Sequence, residues 1–178
     1  MTTCTTSIAT KELEVRYGKT VAVTDVNLDI PAGSLLSVIG PNGAGKSALL
    51  KALAGAIEIH SGDIDIPGPP PSFVMQSTEV DPSLPISVKD VVSLARYSNR
   101  GPFKRFRKED RDAVDEAIER LNLKDLAKRQ LHELSGGQRQ RVLVAQGLAQ
   151  DSNVLLLDEP INGLDLVSRD IILEMIKE

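Results

Sequence analysis

Tryptophan is absent from this 178-residue chain, and three phenylalanines and two tyrosines are its only aromatic side chains. The core must therefore be aliphatic. The single cysteine, Cys4, excludes an internal disulfide framework and fits a reducing compartment. No apolar run approaches the ~18 residues that a membrane-spanning helix needs. The opening stretch, Met1 to Ser7, has neither the basic region nor the apolar core of a secretory signal. Neither sign of charge dominates: 21 basic residues face 25 acidic ones, a net charge of −4, which excludes a surface that coats nucleic acid throughout. Hydrophobic residues at 41% and charged residues at 26% exclude a disordered chain. What remains is a soluble intracellular domain of ordinary size, long enough for one sizeable core.

Leu13, Val15 and Tyr17 alternate with Glu12, Glu14 and Arg16, and Val26, Leu28 and Ile30 alternate again after a turn at Gly18-Lys19. This period-2 pattern predicts an antiparallel β layer at the front. Leu35 to Ile39 is a short apolar run ending at Gly40, which reads as a strand buried on both faces. A helix is expected from Lys46 to Ala56, then strands at Ile64–Ile66, Phe73–Gln76 and Val154–Asp158. Ser87 with Asp90 forms a capping-box pattern ahead of Val88, Val91, Val92 and Ala95, spaced as one helix face. Val114, Ala117, Ile118 and Leu121 repeat that spacing. Residues of roughly 86–132 thus read as a helical insertion, followed by helices to about Gln150 and from Leu166 onward.

Gly40-Pro41-Asn42-Gly43-Ala44-Gly45-Lys46-Ser47 fits G-x-x-x-x-G-K-[ST] between the expected strand and helix. Glycines let backbone N–H groups turn inward around phosphate oxygens, and the helix N-terminus adds partial positive charge. Lys46 is placed to reach the β- and γ-phosphates, and the Ser47 hydroxyl to take one position on Mg²⁺. An ordinary glycine turn with an exposed lysine is the competing reading. A chance match in a chain this long arises roughly one time in a hundred, so phosphate binding is preferred. The apolar run Val154–Leu157 delivers Asp158 and Glu159 at its carboxyl end, where open α/β sheets bind ligands. Asp158 suits Mg²⁺ through water, and Glu159 suits polarisation of an attacking water. Two acids at a strand end are common by themselves; beside a phosphate loop they gain a role.

Leu134-Ser135-Gly136-Gly137-Gln138 resembles, without a mismatch, the signature motif of ATP-binding-cassette (ABC) ATPases. The resemblance runs from about residue 11 to the end. It implies an α/β P-loop NTPase fold: a RecA-like core with an N-terminal antiparallel β layer and an inserted α-helical subdomain. The expected division is one cassette over 1–178, with 1–85 and 148–178 forming β layer and core and 86–147 the helical subdomain. The implied cofactors are ATP and Mg²⁺. In the family the signature caps the γ-phosphate held by a partner subunit, so two copies sandwich two ATP molecules head to tail. That assigns nucleotide contact to Ser135, Gly136, Gly137 and Gln138, beside Gly40 to Ser47 and Ala48. Tyr17 matches the aromatic that stacks on adenine, and Gln76 the Q-loop glutamine that touches Mg²⁺ and the attacking water. Asn162-Gly163-Leu164-Asp165 looks like the D-loop, which in the family lies along the dimer interface, and the resemblance adds Asp165 to the residues near nucleotide; Asp165 also fits a plain helix cap. Glu159, Lys46 and Gln76 are the expected catalytic set, and Ser47, Gln76 and Asp158 the Mg²⁺ set.

Two positions depart from the family pattern. Ala48 stands where a second hydroxyl residue is common, which removes one hydrogen bond worth about 1 kcal/mol. The family also continues beyond the D-loop helix to a switch histidine, whereas His60 and His132 lie elsewhere; the resemblance implies either a piece of a longer protein, poorly active by itself and the preferred reading, or a neighbour that supplies the missing strand. Arg96, Arg100, Lys104, Arg105, Arg107 and Lys108 form a basic stretch containing Tyr97, Phe103 and Phe106. It reads as a solvated loop, as a face docking near an anionic membrane leaflet or, more weakly because the remaining chain is then acidic, as a nucleic-acid patch. Together with Asp90-Val91-Val92 it is most similar to cassettes of bacterial manganese, zinc and iron-chelate importers. The implied protein is the ATPase subunit of an importer, peripheral on the cytoplasmic face of the plasma membrane. Its implied partners are a second copy, membrane-spanning permeases and an extracytoplasmic solute-binding protein, with no nucleic acid. A soluble, non-transport ABC ATPase and a nucleotide-binding module with little turnover are the alternatives.

Overall fold

A computed structural model of the protein describes residues 8–75, 85–97 and 106–177. They form two compact units, one from residues up to Phe73 together with Ser152–Asp158, the other from Val74–Asp151 and Glu159 onward.

In the first unit, β1 (Ile8–Tyr17) pairs antiparallel with β2 (Thr20–Ile30) and with β3 (Ser61–Asp65), giving a sheet of order β2-β1-β3. The expected front layer is present, with Leu13 and Val15 fully buried. Its register shifts between Thr10 and Leu13, where Glu12 adopts φ 48° and its N–H donates to Asn27 Oδ1 at 2.8 Å. Such a bulge bends and twists the strand. Thr10 Oγ1 ties the same strand pair, donating to Val26 O and accepting from Leu28 N. Helix α1 (Lys46–Leu53) turns Ala48, Leu49, Ala52 and Leu53 onto the core formed with Ile8, Leu13 and Val15. It ends earlier than Ala56, because Ala56 N–H donates to Lys51 O and Gly55 N–H to Ala52 O, a closing pair that satisfies the last carbonyls. Strands β4 (Ser72–Val74) and β5 (Leu155–Leu157) pair with each other, and Leu156 enters the core.

The run Leu35–Ile39 corrects the expectation of a doubly buried strand. It is irregular, Leu35 is 73% exposed and Ile39 90% exposed. Apolar sequence supplies the wish to be buried, but a strand also needs neighbours to hydrogen-bond. Among the described residues none pairs with this run. Leu35, Leu36 and Val38 instead line a cleft of about 580 Å³ with Leu49, Leu53 and Leu155.

In the second unit, α2 (Val88–Tyr97), α3 (Lys108–Arg120) and α4 (Gly136–Ala149) pack on one another, and α5 (Leu166–Lys177) packs on α4. Because α5 packs on α4, Glu159–Glu178 fall with the helices, where the sequence division set 148–178 with the core. The Ser87–Asp90 cap forms reciprocally, and the apolar faces foreseen on α2 and α3 are buried. Arg96 corrects the reading of the basic stretch. It is 8% exposed, its Nε donates to buried Asp110 Oδ1 at 3.0 Å and its Nη1 to Ala149 O at 3.0 Å, joining α2, α3 and α4. Lys108 pairs with Asp112. Arg100, Phe103, Lys104 and Arg105 lie outside the described residues.

Candidate nucleotide site

The loop 40–47 is built by two constraints on its glycines and two hydrogen bonds from its lysine. Gly45, the N-cap of α1, holds φ 87°, and a Cβ there would stand 2.2 Å from Ala22 O of β2. Only glycine meets both conditions. Lys46 Nζ donates to Gly40 O and to Pro41 O, each at 3.0 Å, so the ammonium folds back over its own loop. Ala44 N–H closes a turn onto Pro41 O. Asn42, Gly43 and the rest of the loop are solvent-facing up to Ala44, while Ala48 is buried in the helix core.

Ser47, half-buried on the first turn of α1, donates from Oγ to Asp158 Oδ1 at 3.0 Å. Asp158 is only 6% exposed, held at the end of β5. A hydroxyl and a carboxylate so placed are hard oxygen donors, the kind Mg²⁺ takes together with phosphate oxygens and water. No group of three or more His, Cys, Asp or Glu that could hold a metal occurs among the described residues. Tyr17 ends β1 with half of its surface open, available for stacking. Gln76 lies outside the described residues.

The second unit carries the rest. Ser135 Oγ accepts from Gln138 N–H at 3.2 Å, and Gln138 Oε1 accepts from Ser135 N–H at 3.0 Å. This capping box fixes the start of α4, and the N–H groups of Gly136 and Gly137 make no hydrogen bond among the described residues. Glu159 follows Asp158 directly but belongs to this unit. It sits at φ 48° and accepts a hydrogen bond from Asn162 Nδ2 at 2.9 Å. A non-glycine residue in the left-handed region is strained and worth noting at a site. Asn162 is a hydrogen-bonding neighbour of Glu159 that the D-loop pattern contained but gave no task. Asp165 caps α5, accepting from Ser168 N–H at 2.9 Å. That bond, the Ser168 hydroxyl and the charge of Arg141 hold its carboxyl below the usual carboxylate range.

A phosphate loop joined to a buried carboxylate in one unit, and an S-G-G-Q helix start in the other, match a known profile. The profile of the family described as ABC transporter covers residues 23–162. The chain belongs to that family. The cassette is 39% identical to the manganese transport system ATP-binding protein MntB of Listeria innocua, over 93% of this chain and 72% of that one. It is 36% identical to the zinc transport system ATP-binding protein TroB of Treponema pallidum, over 96% of this chain and 67% of that one. Its fold superposes on a dimeric ATP-binding cassette in a post-hydrolysis state, bound to ADP and Pi, with a TM-score of 0.79 and 26% identity, covering 96% of this chain and 81% of that one. The cassette thus binds nucleotide and is an ATP hydrolase of the transport type. Among the described residues no helix is long and apolar enough to cross a membrane.

Proposed function

We propose that this cassette is the ATPase subunit of an importer for divalent metal ions or their chelates, working as a pair of copies on permease subunits at the cytoplasmic face of the membrane. The similarity to manganese and zinc transport ATPases supports the cargo, and the family supports permease partners; a solute-binding protein outside the membrane completes the proposed system. The observation that carries the chemistry is the Ser47–Asp158 contact at 3.0 Å beside a glycine loop folded for phosphate.

In this reading Tyr17 stacks on the adenine ring, and the backbone N–H groups from Gly40 to Ala48 take the phosphates. Lys46 exchanges its two loop carbonyls for phosphate oxygens, a swap that costs little because the ammonium already points into the loop. Mg²⁺, when bound, neutralises charge that builds on the β- and γ-phosphates. Ser47, Asp158 and Gln76 are the residues to hold it. Glu159 orients and deprotonates the attacking water, with Asn162 fixing its carboxylate. The Ser135–Gln138 start of a second copy's α4 closes over the γ-phosphate. The exposed Leu166 and Val167, next to Asp165 on the first turn of α5, suit contact with that copy. Closing and reopening of the pair then drives the permeases between two states.

The test is steady-state phosphate release by the purified chain across protein concentrations, with and without its co-expressed permeases. Specific activity that rises with concentration supports shared sites. Activity independent of concentration at every MgATP level, in both preparations, overturns them.

A further inference from the structure

Two glycines stand side by side in the signature, and the structure treats them differently. A Cβ at Gly136 meets nothing within 4 Å, so that position is open. A Cβ at Gly137 would stand 2.3 Å from Asp165 Oδ2, 2.5 Å from Ser168 Oγ and 2.9 Å from Ser168 Cβ. Gly137 is buried, and Ser168 is 2% exposed. The first turn of α4 is therefore seated on the start of α5, with the Asp165 and Ser168 side chains filling the place a side chain at 137 would need. Asp165 is held in place from below by Ser168 N–H, and Arg141, one turn further along α4, faces it with positive charge. Arg141 is itself fixed, donating to Leu121 O at 3.1 Å and Asn122 O at 3.2 Å.

We propose that Asp165 and Ser168 are positioning residues for the signature loop: packed against the bare Cα of Gly137, they lock the starts of α4 and α5 together, so that the Ser135–Gln138 cap and the D-loop move as one body. This rests on the reading that the cap closes over nucleotide held by a second copy. The second glycine of the signature is then demanded by the D-loop helix of its own chain, apart from any need of the ligand. A methyl group at 137 displaces either the helix start or the Asp165 carboxylate by about 1 Å, and displacing the carboxylate breaks the α5 cap. Misplacement on that scale costs a reaction roughly tenfold to a hundredfold.

The experiment compares Asp165→Ala, Asp165→Asn, Gly137→Ala and, as a control on the underlying reading, Ser135→Ala. Each is measured for amide hydrogen exchange over 136–139, for affinity of the single chain for a fluorescent ATP analogue, and for MgATP turnover. Asp165→Ala and Gly137→Ala are expected to speed exchange at 136–139 and to lower kcat about tenfold, with ATP affinity unchanged within about twofold. Asp165→Asn keeps the shape and capping ability of the side chain, and is expected to restore most of both. Unchanged exchange at 136–139 in both Asp165→Ala and Gly137→Ala overturns the proposal, whatever happens to turnover. If exchange changes as expected but Ser135→Ala leaves turnover intact, the coupling stands and the nucleotide-closing role of the cap fails. Gly137→Ala approaches the contact from α4 and improves local helix propensity, so it decides the question if Asp165→Ala does not fold.

Discussion

Ser47 Oγ and Asp158 Oδ1, 111 positions apart in sequence, meet at 3.0 Å. One comes from the first turn of α1 and the other from the end of β5. The contact joins the phosphate loop to a carboxylate that is otherwise shut away from water, and a charged group so buried needs a partner. Here that partner is the Ser47 hydroxyl; in the proposed function it becomes the cation that accompanies nucleotide.

Ser47→Ala removes this donor and the proposed metal position together. Affinity for MgATP is expected to fall roughly tenfold, while affinity for ATP in excess EDTA stays within about twofold. Titration of a fluorescent ATP analogue in the two buffers reads the difference. Equal losses in both buffers would place the hydroxyl on a phosphate instead of the metal.

Glu159→Gln keeps the shape of the side chain and removes its basicity. Phosphate release is expected to drop roughly a hundredfold or more, with nucleotide still bound. Saturating MgATP should then hold the variant as a dimer in sedimentation, whereas the wild-type chain cycles. A variant that remains monomeric there excludes the two-copy sandwich.

Gly45→Ala and Gly43→Ala separate crowding from backbone strain. Gly43 has φ 81° with nothing within 4 Å of a Cβ, so its substitution should cost about 1–2 kcal/mol. Gly45 adds the collision with Ala22 O, and its variant should lose more stability and nucleotide binding as well. Denaturant titration of both variants gives the order.

Asp110→Ala leaves the Arg96 guanidinium buried and without its carboxylate. The helical unit should lose about 3–5 kcal/mol, read by hydrogen exchange of α2 and α3. A loss below about 1 kcal/mol would mean that Ala149 O and Asp151 hold the arginine unaided.

Asp165 gives a pH dependence of known sign. Its carboxyl is held below its ordinary 3.8 by the Ser168 N–H, so the cap's stabilisation is present in full above about pH 4 and is lost as acid is added below that. Exchange at the α5 N-terminus should therefore be flat from pH 7 to 5, after correction for intrinsic rates, and accelerate only in stronger acid.

The helix start at Lys46, the place of Asp158-Glu159 at a strand end, the Ser87–Asp90 cap and the α2 and α3 faces were legible in sequence, because each depends on residues close together along the chain. Arg96 was misread for the opposite reason. A charge run counts Arg96 among solvated neighbours, whereas its partners Asp110 and Ala149 lie 14 and 53 positions away. Leu35–Ile39 shows a second limit: apolarity marks what burial is wanted, but strand formation is decided by whether another segment offers its N–H and C=O groups. The packing of Gly137 on Asp165 was hidden too, since an interhelical close approach leaves no periodic trace.

The open run Leu35–Ile39 has a practical consequence for every experiment above. An irregular segment that pairs with no strand among the described residues and exposes leucine and isoleucine side chains is a place where another chain can associate non-specifically. Such clumping grows with protein concentration and is indifferent to nucleotide. In the proposed function, pairing through bound ATP is the part of self-association that vanishes with EDTA or with Lys46→Ala, and only that difference reports on the proposed dimer.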